Sequence, residues 1–182
     1  MSWKNTNKRY GTLSIGLHWL MLLLFIGVYA CIELRELYPK GSDPREALKT
    51  WHFMLGLSIW GLVALRIYAR LTSPTPSITP EPVRWQMLSA KLAHLALYGL
   101  MIVMPLLGWL LLSASGKPIP FFGLELPALV AKNKELAGLV KEVHQTMGVV
   151  GYYLIGLHAA AALFHHYYIK DDTLVRILPD RK

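Results

Sequence analysis

The sequence predicts an all-α integral membrane protein, a bundle of four spanning helices, on three observations. Its 182 residues are 54% hydrophobic and only 16% charged, whereas an ordinary soluble domain is roughly a quarter charged. Four apolar segments can each cross ~30 Å of hydrocarbon as a helix of about twenty residues. Histidines recur inside those segments, where ionisable side chains mark functional sites. His144 and His158 stand fourteen residues apart on one segment. At ~100° and ~1.5 Å per residue, that interval returns to within about 40° of one direction and climbs roughly 21 Å. The two imidazoles therefore face one way at two depths.

The spans run over about 11–32, 51–71, 88–112 and 143–168. Pro105 and Gly108 are tolerated in the third because neighbouring helices satisfy freed backbone groups. Residues 73–82 hold four prolines and read as a rigid extended connector. No internal repeat or low-complexity segment appears, and the length allows one transmembrane domain over 1–182. No cleavable signal peptide is expected, because the first apolar run is too long and lacks a small-residue cleavage site. The single cysteine, Cys31, excludes an internal disulfide and a cysteine-rich metal or iron–sulfur site. The net charge of +8 reads as topology signal rather than nucleic-acid binding. Four spans put both termini on one side, with eleven basic residues, Arg181 and Lys182 among them, against eight on the other. The positive-inside rule assigns that side to the cytoplasm.

Depth pairs the histidines. His52 lies three residues past Lys49 and His144 two past Glu142, near the outer edge. His18 lies ~13 Å beyond Arg9 along its helix, and His158 ~18 Å before Lys170, both in the inner half. The pairs are thus His52 with His144 and His18 with His158; His94, three residues from Lys91, is too shallow to be as good a partner. Two neutral imidazoles from opposite helices can fill both axial positions of a haem iron. Gly16, Gly56, Gly148 and Gly156 beside them suit a flat macrocycle, and equally suit close helix packing. A lone membrane histidine is more simply a hydrogen-bonded polar residue, but four in two depth-matched pairs favour two haems. A bare zinc ion would want further ligands, which the spans barely offer at matching depth.

Other residues carry two readings each. His165, with His166, Tyr167, Tyr168 and Lys170, reads first as an interfacial belt. Alternatively His94 or His165 serves a quinone as hydrogen-bonding or proton-relay group. Trp19, Trp51 and Trp85 read as interfacial anchors. Arg66 and Arg70 either neutralise haem propionates or snorkel to the interface.

The segments GLHWL at 16–20, TWHFMLG at 50–56, KLAHLALYGLM at 91–101, EVHQTMG at 142–148 and GLHAAAALFHHYYIKDDTLVRILP at 156–179 carry a resemblance. Over essentially its whole length the chain resembles the bacterial cytochromes b561, four-helix di-haem cytochromes of the inner membrane. The resemblance implies that His18 and His158 ligate one haem b and His52 and His144 the other. The same ligand arrangement occurs in haem subunits that anchor formate dehydrogenases and hydrogenases; the short termini favour the stand-alone branch. That branch includes superoxide oxidases, which pass electrons from periplasmic superoxide to ubiquinone.

On that reading Arg35, Lys49, Lys117 and Lys141 are candidates to steer the superoxide anion, or else form an ordinary solvated loop surface. Ubiquinone is expected near the inner haem by His94 or His165, Ser14 and Lys91. A second possible place is under the 116–138 loop, where Phe121 and Phe122 cap a pocket or dip into the interface. Two rival functions remain: a non-catalytic electron-transfer subunit docked to a protein redox partner, and a transporter or sensor with a histidine-bound metal ion.

Overall fold

Each spanning helix begins where polar groups can satisfy its free N–H donors. In a computed structural model, which describes residues 2–179, α1 covers Thr12–Leu34, α2 Asp43–Leu71, α3 Arg84–Ser115 and α4 Lys134–Phe164. Arg181 and Lys182, counted above for orientation, lie outside the described residues. All four helices are long and apolar enough to span a membrane.

Two helices start well before the hydropathy signal. Helix α2 begins at Asp43 rather than 51, with Pro44 just inside and Asp43 and Glu46 in its first turn, which suits the helix dipole. Helix α4 begins at Lys134 rather than 143, where Asn133 Oδ1 accepts the Leu136 N–H at 3.0 Å, an N-cap bond. On α3 the Gln86 side chain reaches back to the Val83 N–H at 3.3 Å, half of a capping box. Hydropathy finds the lipid-facing length of a helix and overlooks its capped, water-facing turns.

The chain divides into two compact units, residues 1–20, 63–99 and 150–182 in one and 21–62 and 100–149 in the other. We call them the terminal unit and the loop unit. Within each, the start of one helix packs with the end of the next, so successive helices run in opposite directions.

Side-chain bonds to backbone stitch the terminal unit together. Asn5 Oδ1 accepts from the Gly11 N–H at 2.9 Å and the Ser14 hydroxyl at 2.7 Å, while its amide donates to the Pro74 carbonyl at 3.2 Å. A Cβ on Gly11 would stand 2.5 Å from the Trp3 and Lys4 main chain, so only glycine allows the approach. Helix α4 passes into a π-helical turn, His165–Ile169, which ends at left-handed Lys170 with φ +61°. The chain reverses there, and the following segment ties back. Asp172 accepts the Thr79 N–H at 2.9 Å, Arg176 donates to the Pro76 carbonyl at 2.5 Å, and the Trp19 indole N–H donates to the Ile177 carbonyl at 2.8 Å.

The loop unit has an apolar core of Leu57, Leu112 and Ile119, flanked by Phe53, Trp109, Phe121 and Leu126. Strands β1 (Pro120–Phe121) and β2 (Leu124–Glu125) form a minimal antiparallel hairpin. Its turn residues Phe122 and Gly123 both have positive φ, +47° and +85°, as a two-residue type I′ turn demands. The two phenylalanines of the loop therefore differ. Phe121 packs on the core, whereas Phe122 is 56% exposed, its ring centroid 6.3 Å from that of Trp51 in an edge-to-face contact. In no span is more than 28% of the most apolar stretch buried by protein, so most apolar helix surface is left for lipid or a prosthetic group.

Candidate functional site

In the loop unit α2 presents His52 and α4 presents His144, with ring centroids 6.3 Å apart and planes at 72°. His52 Nδ1 lies 3.0 Å from the Val28 carbonyl, which can only accept, so the proton sits on Nδ1 and Nε2 keeps its lone pair. Metal-binding histidines are commonly oriented this way. His144 is packed with its ring facing α3, where a Cβ on Gly108 would stand 3.5 Å away. One helical turn beyond each histidine comes a glycine. A Cβ on Gly56 would meet nothing within 4 Å, and one on Gly148 only the Met104 methyl at 3.8 Å. The Gly148 carbonyl accepts the Tyr29 hydroxyl at 2.9 Å.

In the terminal unit His18 on α1 and His158 on α4 also have centroids 6.3 Å apart, at 60°. His94 on α3 is nearer still to His158, at 5.5 Å, which counting depth along separate helices did not anticipate. Arg66 Nη2 lies 3.1 Å from His18 Nδ1, and its Nε lies 3.3 Å from the Tyr98 hydroxyl. Open space also flanks this pair, since a Cβ on Gly16 or Gly156 would meet nothing within 4 Å.

The 6.3 Å separation in both pairs leaves room for a metal between the rings, although Trp51–Phe122 and Phe164–His165 share the same spacing. A metal–imidazole bond is ~2.0–2.1 Å and the ring centre lies about 1.1 Å behind its nitrogen, so two rings on opposite sides of one metal stand about 6.3 Å apart. Each pair could therefore hold a metal-centred group such as haem between its imidazoles. Among the described residues no three His, Cys, Asp or Glu side chains gather as a metal-ion site, so a bare ion is poorly served. The flanking glycines leave room for a flat ring.

The family model for prokaryotic cytochrome b561 matches residues 9–180. The chain belongs to that family. Its relatives include cytochrome b561 homolog 1 of Escherichia coli K12, 41% identical over 96% of this chain and 99% of the relative. The probable superoxide oxidase CybB of Yersinia pestis is 39% identical over 97% and 99%, and cytochrome b561 homolog 2 of Escherichia coli K12 is 31% identical over 98% and 95%. This cytochrome b561 is thus a bacterial membrane protein of electron transfer, in a family that binds b-type haem.

The remaining predicted residues of the cytochrome are scattered. Ser14 lines a cavity of about 90 Å³ with Trp3, Asn5, Tyr68 and Thr72, but Lys91, His94 and His165 do not. Lys91 is exposed on α3. Arg35 pairs with Glu36 at 3.0 Å and Lys49 with Glu46 at 2.6 Å, so two of the four proposed steering cations are locally answered. Lys117 and Lys141 are exposed.

Sequence reasoning missed Asp171. Its side chain is fully buried, with Oδ2 2.5 Å from His165 Nδ1 and Oδ1 accepting the Thr173 N–H at 2.9 Å. Burial pushes this carboxyl up, but hydrogen bonds from His165 and Thr173 outweigh burial and hold it below the usual carboxylate range. The pairing depends on the chain reversal at Lys170, for which no glycine or asparagine gave a signal.

Proposed function

We propose that this cytochrome b561 is a superoxide:ubiquinone oxidoreductase carrying two haems b, one between His52 and His144 and one between His18 and His158. The carrying observation is the same iron-compatible ring spacing in two separate histidine pairs. The superoxide assignment draws on the relative named a probable superoxide oxidase, aligned over 97% of this chain. Both termini are assigned to the cytoplasm by the positive-inside rule, so Arg35, Lys49, Lys117 and Lys141 belong to segments assigned to the periplasm.

Bound haem supplies one-electron carriers, and the chain supplies ligation, electrostatics and access. Two superoxide anions each lose one electron and leave as dioxygen. Ubiquinone takes up those two electrons with two protons and leaves as ubiquinol. Arg35, Lys49, Lys117 and Lys141 raise the encounter rate of the anion. The Val28 carbonyl keeps His52 in the tautomer with a bare Nε2. His94 or His165 serves quinone binding and proton supply at the terminal unit, where Asp171 orients His165 through Nδ1.

Stopped-flow mixing of the purified, oxidised holoprotein with superoxide tests the reading. Haem reduction is expected within the mixing experiment, and reoxidation only when ubiquinone is added. Haem inert toward superoxide, together with copurification of a soluble redox enzyme, would make the protein an electron-transfer subunit instead.

A further inference from the structure

Three arginines draw guanidinium nitrogens out of water, and two of them are answered by the chain. Arg45 meets both Glu36 carboxylate oxygens, at 3.0 and 2.9 Å, and donates to the Arg35 and Tyr38 carbonyls at 2.9 and 2.8 Å. Arg176 forms an ion pair through Nε with the Asp172 carboxylate at 3.2 Å, outside hydrogen-bond geometry, and donates through Nη1 to the Pro76 carbonyl. Arg66 has no such answer. Its Nη1 is buried without a partner, Nε makes a long bond to the Tyr98 hydroxyl, and Nη2 rests on His18 Nδ1. No carboxylate lies within ion-pair distance of it among the described residues. A second cation, Arg70, sits over the Tyr98 ring at 5.9 Å.

A sequestered cation without an anion is costly, and a guanidinium fork matches a carboxylate bidentately. The contact with His18 is also a misfit for ligation. Guanidinium only donates, so His18 Nδ1 accepts and the ring proton is left on Nε2. A ligand that binds iron through Nε2 needs the opposite tautomer, the one His52 already holds.

We propose that Arg66 is the carboxylate anchor of the haem held by His18 and His158, gripping a propionate through the nitrogens that now face His18 and no partner. This rests on the two-haem reading. When Arg66 turns to the carboxylate, the His18 ring proton moves from Nε2 to Nδ1, with no net gain or loss of protons. Arg66 then sets the potential of that haem, because a nearby positive charge favours the reduced form. An acidic lipid headgroup offers the same anionic chemistry, and the test separates the two sources.

The experiment is redox potentiometry on purified holoprotein, wild type, Arg66→Gln and Arg66→Lys. It is combined with infrared redox difference spectra on protein carrying haem ¹³C-labelled at the propionates. In Arg66→Gln one midpoint is expected to fall by a tenfold or larger change in the reduction equilibrium, about 59 mV for one electron, with the other unmoved. Arg66→Lys should shift the same midpoint less. The ¹³C-sensitive carboxylate bands should differ between wild type and Arg66→Gln. Selective loss of one haem from Arg66→Gln also supports the anchor. Unchanged midpoints and bands overturn it, as do two midpoints falling together. A midpoint shift reproduced by removing acidic lipid, with the ¹³C bands unmoved, assigns Arg66 to a headgroup and overturns it too. If Arg66→Gln does not accumulate, Arg66→Lys and its ¹³C bands decide by the same criteria. Wild-type protein with a single haem per chain would sink the two-haem reading itself, a result distinct from all of these.

Discussion

The loop unit and the terminal unit hold histidine pairs at the same 6.3 Å spacing, yet support them in opposite ways. In the loop unit the backbone orients the ring, through Val28 and His52, and the buried arginine is satisfied by Glu36. In the terminal unit an arginine with a free buried nitrogen stands against the ring, and a third histidine crowds the pair. Equal ring spacing in unequal surroundings teaches that ligation and tuning are separate properties. Axial ligands choose the cofactor, while neighbouring charge and hydrogen bonds set its potential.

The largest expected effect tests whether the two pairs are independent sites. Alanine at His52 or His144 should remove about half of the haem, and alanine at His18 or His158 the other half, with a different midpoint surviving in each case. Haem per chain and reduced-minus-oxidised spectra check this, and one substitution that bleaches both pigments, or neither, breaks the comparison.

A second test compares the arginines. Arg45→Met removes hydrogen bonds to the Arg35 and Tyr38 carbonyls together with a solvent-screened pair to exposed Glu36. It should lower the thermal midpoint in detergent and leave both haem potentials in place, whereas Arg66→Met should displace one potential.

Gly11→Ala probes the terminal unit's stitching. The added methyl overlaps the Trp3 and Lys4 main chain, an overpacking cost of about 1–3 kcal/mol. Faster proteolysis near Trp3 with unaltered haem spectra is the expected signature.

Smaller effects are expected at the surface. Neutralising Lys117 and Lys141 should slow superoxide-driven haem reduction about two- to fivefold at low salt, an effect that screening erases. Neutralising the paired Arg35 and Lys49 should do less. A rate indifferent to salt and to all four removes steering from the loop unit.

The least effect concerns Asp171, whose carboxyl is held below its ordinary range. Such a group favours the folded state while ionised, so its contribution is complete above the unfolded carboxylate range and is lost as pH falls through the lowered value. Hydrogen exchange of residues 171–178 should quicken in acid in wild type, and the acid dependence should flatten in Asp171→Asn.

Much of this was legible before any fold. Hydropathy located the four spans, and depth counted from flanking charges paired the same histidines whose rings approach one another. The misses have separate causes. Helix starts at Asp43 and Lys134 were overlooked because their turns are polar, and His94 was set aside because depth counted from Lys91 placed it too shallow, whereas its ring lies 5.5 Å from His158.

What the sequence determined by itself is what local periodicity and hydropathy can encode: four membrane helices and their order. The tertiary structure alone decided what each ring nitrogen meets. His52 finds the carbonyl of a residue 24 positions away and His18 a guanidinium 48 positions away. Such partners come from different helices brought side by side, and a hydrogen bond depends on angles and tenths of an ångström that no spacing along one helix records.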